Sequence, residues 1–393
     1  MAVRIVRQPK KIVLLGAPSS AAALSAGHER APAALRAAGL VARLQGAGFE
    51  VVDAGDIATR VFQIDDEHPR ARNFPAVLQV LHDLRPRVEL AIKSGALPLV
   101  IGGDCIVVLA VLAAARRYYR SIGLVYMDSD ADLNTPATSA SGSVDGMVIS
   151  HIVGRGAAEM VRFWGEPPLV REPDILLFGV NRIDASEEQY LARSPMPRYL
   201  AADISKRGGA AAAEEAAQRA HAGQREFILH FDVDVISGRE FPATNYPSLG
   251  ALSLSDARQA LAVFAKQPQL AGINVCAYNP ALDADGTYAK LVIDLIVEAL
   301  EQRIAPQPVE TAAEPAAAAE PAQPAEHVSE TPPASEVDAP AEPPAAATET
   351  NAVETGETSP DSAPDSAPDS APDSAPSGSA PDSESAKPET TIP

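Results

Sequence analysis

Cysteine is scarce in this chain, with two in 393 residues, Cys105 and Cys276. That number cannot build a disulfide scaffold, so the fold must rest on a packed core. No apolar run reaches the length needed to span a bilayer. The opening stretch from Met1 to Lys11 has no apolar signal-peptide core. The expected location is therefore cytoplasmic, with no membrane partner. Aromatic residues vanish over a whole section: from Ala305 onward there is no Trp, Tyr, Phe or Cys. Basic residues are missing there too. Of 52 acidic residues 18 lie beyond residue 304, against one of the 32 basic ones, Lys387. The formal net charge of −20 thus belongs mostly to that section, and the rest of the chain is near neutral. Without a basic stripe, a nucleic-acid partner is excluded.

What remains falls into two parts, 1–304 and 305–393. The second is rich in Pro, Ala, Glu, Ser and Thr and carries a near-perfect Ser-Ala-Pro-Asp repeat from Ser359 to Ser374. A segment this polar and like-charged buries too little surface to offset its ordering entropy, so a disordered low-complexity tail is expected. The first part is long enough for one large core. Short apolar runs alternate with helical patterns along it. The runs are Lys11–Gly16, Phe49–Asp53, Leu97–Ile101, Ile122–Met127, Ile175–Val180, Glu226–Phe231 and Gly272–Ala277. Helical spacing is read over Ala33–Ala38, Phe74–Ser94, Val107–Arg120 and Lys290–Arg303. The alternation predicts an α/β single-domain three-layer sandwich with a mostly parallel sheet. In such sheets ligands bind beyond the carboxyl ends of the strands.

Every unusual polar cluster sits at such an end. Asp128, Asp130 and Asp132 follow the fourth run at alternate positions. In extended chain they face one side, and three converging carboxylates call for a cation between them. An Asx-rich turn is the plainer reading for one or two aspartates, but three in alternation favour a divalent metal. Asp104-Cys105 and Asp232-x-Asp234 end two further runs.

With these in order, and with Gly102-Gly103-Asp104, Asn134-Thr135-Pro136, Ser141-Gly142, Phe231-Asp232-Val233-Asp234, Leu249-Gly250-Ala251-Leu252-Ser253 and Asn279-Pro280, residues 11–303 resemble the arginase/agmatinase (ureohydrolase) family. The resemblance implies an arginase-like fold and a two-metal site, usually manganese, that activates water for attack on a guanidinium carbon. It implies that Asp128 and Asp232 bridge the ions, that Asp132 ligates the first and that Asp234 ligates the second. Two family histidines are replaced, by Cys105 and Asp130, and both replacements can still bind metal. Zinc or iron is left open beside manganese, because a thiolate pulls toward softer ions. Five aspartates and a thiolate bring six negative charges against four positive ones on two divalent ions, which would weaken the ions as Lewis acids.

The same resemblance places a small-molecule, amino-acid-like substrate against Asn134, Ser139 and Ser141 for its carboxylate end, and Asp184 and Glu187 for its amino end. Asp145 stands where the family has a proton-shuttling histidine, and Asp130 with Asp145 are the expected catalytic residues. Ala277 stands where the family's glutamate grips the guanidinium, and Asn245 and Tyr246 replace small pocket residues. His151 and His230 read as structural. These departures predict a hydrolase of a changed C–N substrate (amidine, guanidino-like or amide) rather than of plain arginine. The alternatives are a metal-binding pseudoenzyme of the same fold, or a scaffold working through its tail. Assembly with other copies is left open.

Overall fold

The computed structural model of the chain describes residues 7–305. The tail expected from composition lies outside them. Eight strands form one sheet: β1 (Lys11–Ala17), β2 (Glu50–Asp56), β3 (Leu97–Gly102), β4 (Ile122–Met127), β5 (Ile175–Val180), β6 (Arg198–Leu200), β7 (Glu226–Asp232) and β8 (Leu270–Cys276). Their order is β2-β1-β3-β8-β7-β4-β5-β6, and every pairing is parallel. Each residue of β3, β4, β5 and β8 is buried. Successive side chains point to opposite faces, so helices must cover both. This is why those strands read as continuous apolar runs. The edge strand β2 keeps only Val51 and Gly55 partly covered and carries Glu50, Asp53 and Asp56, which discourages pairing with another chain.

The helices differ from the sequence reading mainly at their ends. The expected helix over Val107–Arg120 is a 3-10 turn, Cys105–Val107, followed by an α-helix, Val108–Arg116. The expected helix from Lys290 starts earlier and spans Thr287–Ile304. The last strand ends at Cys276 rather than Ala277. There the backbone turns to a φ of 65° at Ala277, whose N–H donates to Gly103 O at 2.8 Å. The strand β6 and the helices between β4 and β8, among them Gly209–Ala220 and Leu254–Ala265, were not among the elements read from the sequence. Among the described residues no helix is long and apolar enough to cross a membrane.

Strands β3, β8, β7, β4 and β5 are consecutive across the middle of the sheet. Their carboxyl ends deliver residues 104–105, 276–279, 232–234, 128–132 and 181–184 to one place. Register is the means: Met127 lies beside both Phe231 and Phe178, so Asp128 and Asp232 leave the sheet side by side. One row further in, Tyr126, His230 and Asn274 are neighbours across β4, β7 and β8.

Candidate metal centre

The loop after β3 brings Cys105 to the centre. A Cβ on Gly103 would stand 1.6 Å from Ser19 O, so this position must lack a side chain for the two loops to cross. The crossing is closed by Asp104 N donating to Ser19 O at 3.0 Å. Asp145 Oδ1 then accepts from the Cys105 and Ile106 N–H groups at 2.8 and 3.2 Å. The Asp145 carboxylate therefore fixes the turn that aims Cys105. The Cys105 thiol in turn donates to Asp232 Oδ2 at 2.7 Å.

Two overlapping groups of donor atoms result, each with its atoms within 4.8 Å of one another: Cys105, Asp128, His230 and Asp232, and Asp128, Asp130 and Asp234. Asp128 is common to both. Asp132, expected among the ligands, joins neither. Its φ of 49° breaks the extended alternation, and its carboxylate accepts from the Tyr126 hydroxyl. All three aspartates line one cavity, with Asp132 hydrogen-bonded to Tyr126 and Asp128 and Asp130 within the donor groups.

The electrostatics are those of crowded, dehydrated acids. Burial, and then the charge of Asp130, push the Asp128 carboxyl up to about 7. Burial and neighbouring carboxylates raise Asp132, Asp145, Asp232 and Asp234 well above the usual range. Burial, with the Asp232 charge beside it, also lifts the Cys105 thiol. Buried like charges at this spacing hold protons unless a cation takes their place.

Two further residues stand at this centre that the sequence reading did not place in it. His230 is fully buried, its Nδ1 lies 2.6 Å from Asn274 Oδ1, and its Nε2 has no hydrogen-bond partner. The signal was available: His230, Asp232 and Asp234 alternate as the aspartates of β4 do, and so share a face up to the strand's end. Arg182, after β5, donates from Nε to Asp130 Oδ1 at 2.8 Å and from Nη2 to Asp234 Oδ2 at 2.8 Å. Its Nη2 also contacts the other Asp130 oxygen and Ser129 Oγ, and its Nη1 donates to Tyr246 O at 2.8 Å. A lone base in a strand-end cluster of acids was the clue in sequence.

A cavity of about 300 Å³ opens above the centre. Asn134, Ser139, Ser141, Asp184 and Glu187 line it, together with Asp145 and Tyr246. Asn134 Nδ2 donates to Asp184 Oδ2 at 2.7 Å, and the Ser139 and Ser141 hydroxyls lie 3.4 Å apart. Glu187 is held differently. Its oxygens accept from the N–H groups of Leu133, Asn134 and Asp184 at 2.7, 3.1 and 2.7 Å. It ties the aspartate loop to the following helix, Ala185–Leu191. Tyr246 accepts from Leu24 N at 2.8 Å through its hydroxyl, closing one wall. Ala277 is buried and does not line the cavity.

The model of the arginase family matches residues 10–301. The chain belongs to the arginase family. An arginase of Staphylococcus aureus (strain MSSA476) is 28% identical over 291 residues, covering 73% of this chain and 96% of that one. The crystal structure of arginase from Bacillus subtilis superposes with a TM-score of 0.68 at 26% identity, over 74% of this chain and 98% of the other. A formimidoylglutamase from Bacillus subtilis shares the fold at 18% identity, with a TM-score of 0.62 over 76% of this chain and 88% of its own. The family implies divalent metal. The residues present fit one: buried acids hold their protons far above the normal range, and a buried imidazole nitrogen aimed at them has no partner. Neither feature is stable on its own, and a bound cation relieves both.

Proposed function

We propose that this protein is a metal-dependent hydrolase of a C–N bond in an amidine, guanidino-like or amide substrate other than plain arginine. One observation carries the reading. The acidic floor lies open to a cavity of about 300 Å³, while position 277 presents a buried methyl group outside it. A guanidinium entering this cavity would lack the charge-assisted carboxylate that the family supplies from that position. A divalent ion held by these residues supplies the Lewis acidity that C–N hydrolysis needs.

The remaining roles fall to the chain's own side chains. Asp128, Asp232 and Cys105 hold the cation. Asn134, Ser139 and Ser141 offer donors in the cavity for a substrate carboxylate, and Asp184 offers an acceptor for an amino group. Burial, and then the Asp104 charge, raise the Asp145 carboxyl well above its ordinary value, and at the cavity lining it is the group placed to give a proton to a leaving amine. Asp130 is bound on both oxygens by Arg182 and acts by orienting that guanidinium. A small molecule is the partner, and the cytoplasm is the proposed location.

Purified protein supplied in turn with manganese and zinc should be assayed on arginine, N-hydroxyarginine, agmatine and simple amidines and amides. Turnover of a substrate other than arginine, reduced at least about tenfold in Asp145→Asn, is expected. Efficient arginine hydrolysis would overturn the substrate assignment. Failure on every substrate, with metal bound, would favour the second reading, a metal-binding protein without hydrolysis. The clamp of Arg182 on Asp130 and Asp234 is the observation on its side.

A further inference from the structure

His230 is held by a hydrogen bond at one ring nitrogen and has none at the other. Its Nδ1 faces Asn274 Oδ1, and the orientation of that amide is set by its other end: Asn274 Nδ2 donates to Cys276 Sγ at 3.2 Å. Cys276 can accept there because its own S–H donates to Asp104 O at 3.2 Å. Following the chain of donors, Nδ1 carries the hydrogen and Nε2 carries a lone pair. The Tyr126 ring stacks on the imidazole, centroids 4.4 Å apart and planes within 6°, which fixes the ring plane. The lone pair points to Asp128, with Nε2 3.7 Å from Asp128 Oδ2. That is too long for a hydrogen bond, and a carboxylate cannot donate one when ionised. It is close to the spacing of two donors on one tetrahedral ion, roughly 3.4 Å for bonds of about 2.0–2.1 Å. An imidazole whose other nitrogen donates to an amide oxygen is the usual posture of a metal ligand.

The other half of the floor already has a cation. The Arg182 guanidinium takes both oxygens of Asp130 and one of Asp234, the lone pairs a second ion would need. Its backbone is fixed as well, since Arg182 N donates to Ser129 O at 2.9 Å. The family's two-ion arrangement does not fit these residues.

We infer that the centre is mononuclear: a single thiophilic divalent ion held by Cys105, His230, Asp128 and Asp232, with the guanidinium of Arg182 in the place of the second ion. Formal charge divides evenly under this assignment. A thiolate and two carboxylates face one divalent ion, and Asp130 and Asp234 face one guanidinium, so each half is left with a single negative charge. A sulfur, nitrogen and oxygen donor set selects zinc or iron over manganese. The inference rests on the family's metal site but not on hydrolysis, and its test needs no substrate.

Full-length protein is loaded with equimolar zinc and manganese, dialysed, and measured by elemental analysis and native mass spectrometry. One zinc per chain is expected. Two ions per chain, or manganese in preference to zinc, would overturn the assignment. In cobalt-substituted protein a thiolate charge-transfer band should appear and vanish in Cys105→Ser, and its persistence there would remove Cys105 from the ligands. His230→Gln should weaken zinc by at least about 100-fold, with Asn274→Ala as the milder variant at about 10- to 100-fold should the first not fold. Unchanged zinc affinity in either folded variant would remove His230 from the ligands. Arg182→Met should raise the stoichiometry from one ion to two, and a stoichiometry still at one would show that Arg182 does not occupy an ion's place.

Discussion

The two halves of the acidic floor share Asp128 and differ in what faces it. On one side stand a thiol, an imidazole with a free lone pair and Asp232, all fully buried or nearly so. On the other stand Asp130 and Asp234, already bridged by a guanidinium that is about one-third exposed. Both halves began as the same problem, carboxylates brought together at strand ends without water. One side retains unmet donors, and the other is satisfied by the chain itself. A buried charge requires a partner, and which partner it finds depends on reach: the long Arg182 side chain spans from β5, whereas among the described residues no Lys or Arg lines the cavity on the Cys105 side.

The largest effect that could break this comparison is on the shared residue. Asp128→Asn and Asp232→Asn should each lower metal affinity by at least about 100-fold, read by isothermal titration, because each removes charge from the ion's own side. Asp130→Asn should leave affinity within about fivefold. Equal losses for Asp128→Asn and Asp130→Asn would show that the halves are not distinct. On stability the order reverses. In metal-free protein, Asp234→Asn should cost about 1–3 kcal/mol in denaturant unfolding, since it breaks a charge-assisted bond that Arg182 makes to a buried oxygen. Asp232→Asn should cost less or even stabilise, because it relieves repulsion.

A pH comparison sharpens the same contrast. The Asp128 carboxyl lies at about 7 in the folded, metal-free protein against an ordinary 3.8. The folded state therefore holds a proton that the unfolded state releases. This stabilising contribution is full below about 4 and is lost as pH rises through about 7. A metal ion must displace that proton, so its stabilising effect should be larger at pH 8 than at pH 5 in thermal melts with and without zinc. His28 and His151, neutral with values near 4, pull stability the other way, but equally in both melts. A metal effect independent of pH would remove Asp128 from the binding reaction. The smallest effect is expected from the C-terminus. Ending the chain at residue 305 should move the melting temperature by less than about 2 °C, because the composition beyond it cannot supply a core. A larger drop would refute that expectation.

Much of the fold was legible in the sequence because parallel strands buried on both faces must be apolar throughout, and β3, β4, β5 and β8 announce themselves that way. Of the elements that were missed, β6 over Arg198–Leu200 is short and lies at the sheet edge, where little burial writes little pattern, whereas the helices Gly209–Ala220 and Leu254–Ala265 are long and simply were not read. Of the site, the acidic strand ends were readable from spacing, whereas the missing carboxylate at Ala277 was visible only through the family resemblance. The conformation of Asp132 was not readable from spacing, because alternation assumes extended chain, whereas its φ is 49° and its carbonyl accepts from Ile149 N at 3.0 Å.

The sequence alone determined which chemical groups collect at the carboxyl edge of the sheet, since strand ends are written locally, by where an apolar run stops and which polar residues come next. The tertiary structure alone decided which of those groups are neutralised. That His230 keeps a lone pair depends on Asn274, 44 residues away, and on the S–H of Cys276 beyond it. That Asp130 and Asp234 do not stand free depends on Arg182, 52 residues from each. Charge partners inside a protein are chosen by distance through space, and register across β4, β7 and β8 fixes that distance where no local pattern can.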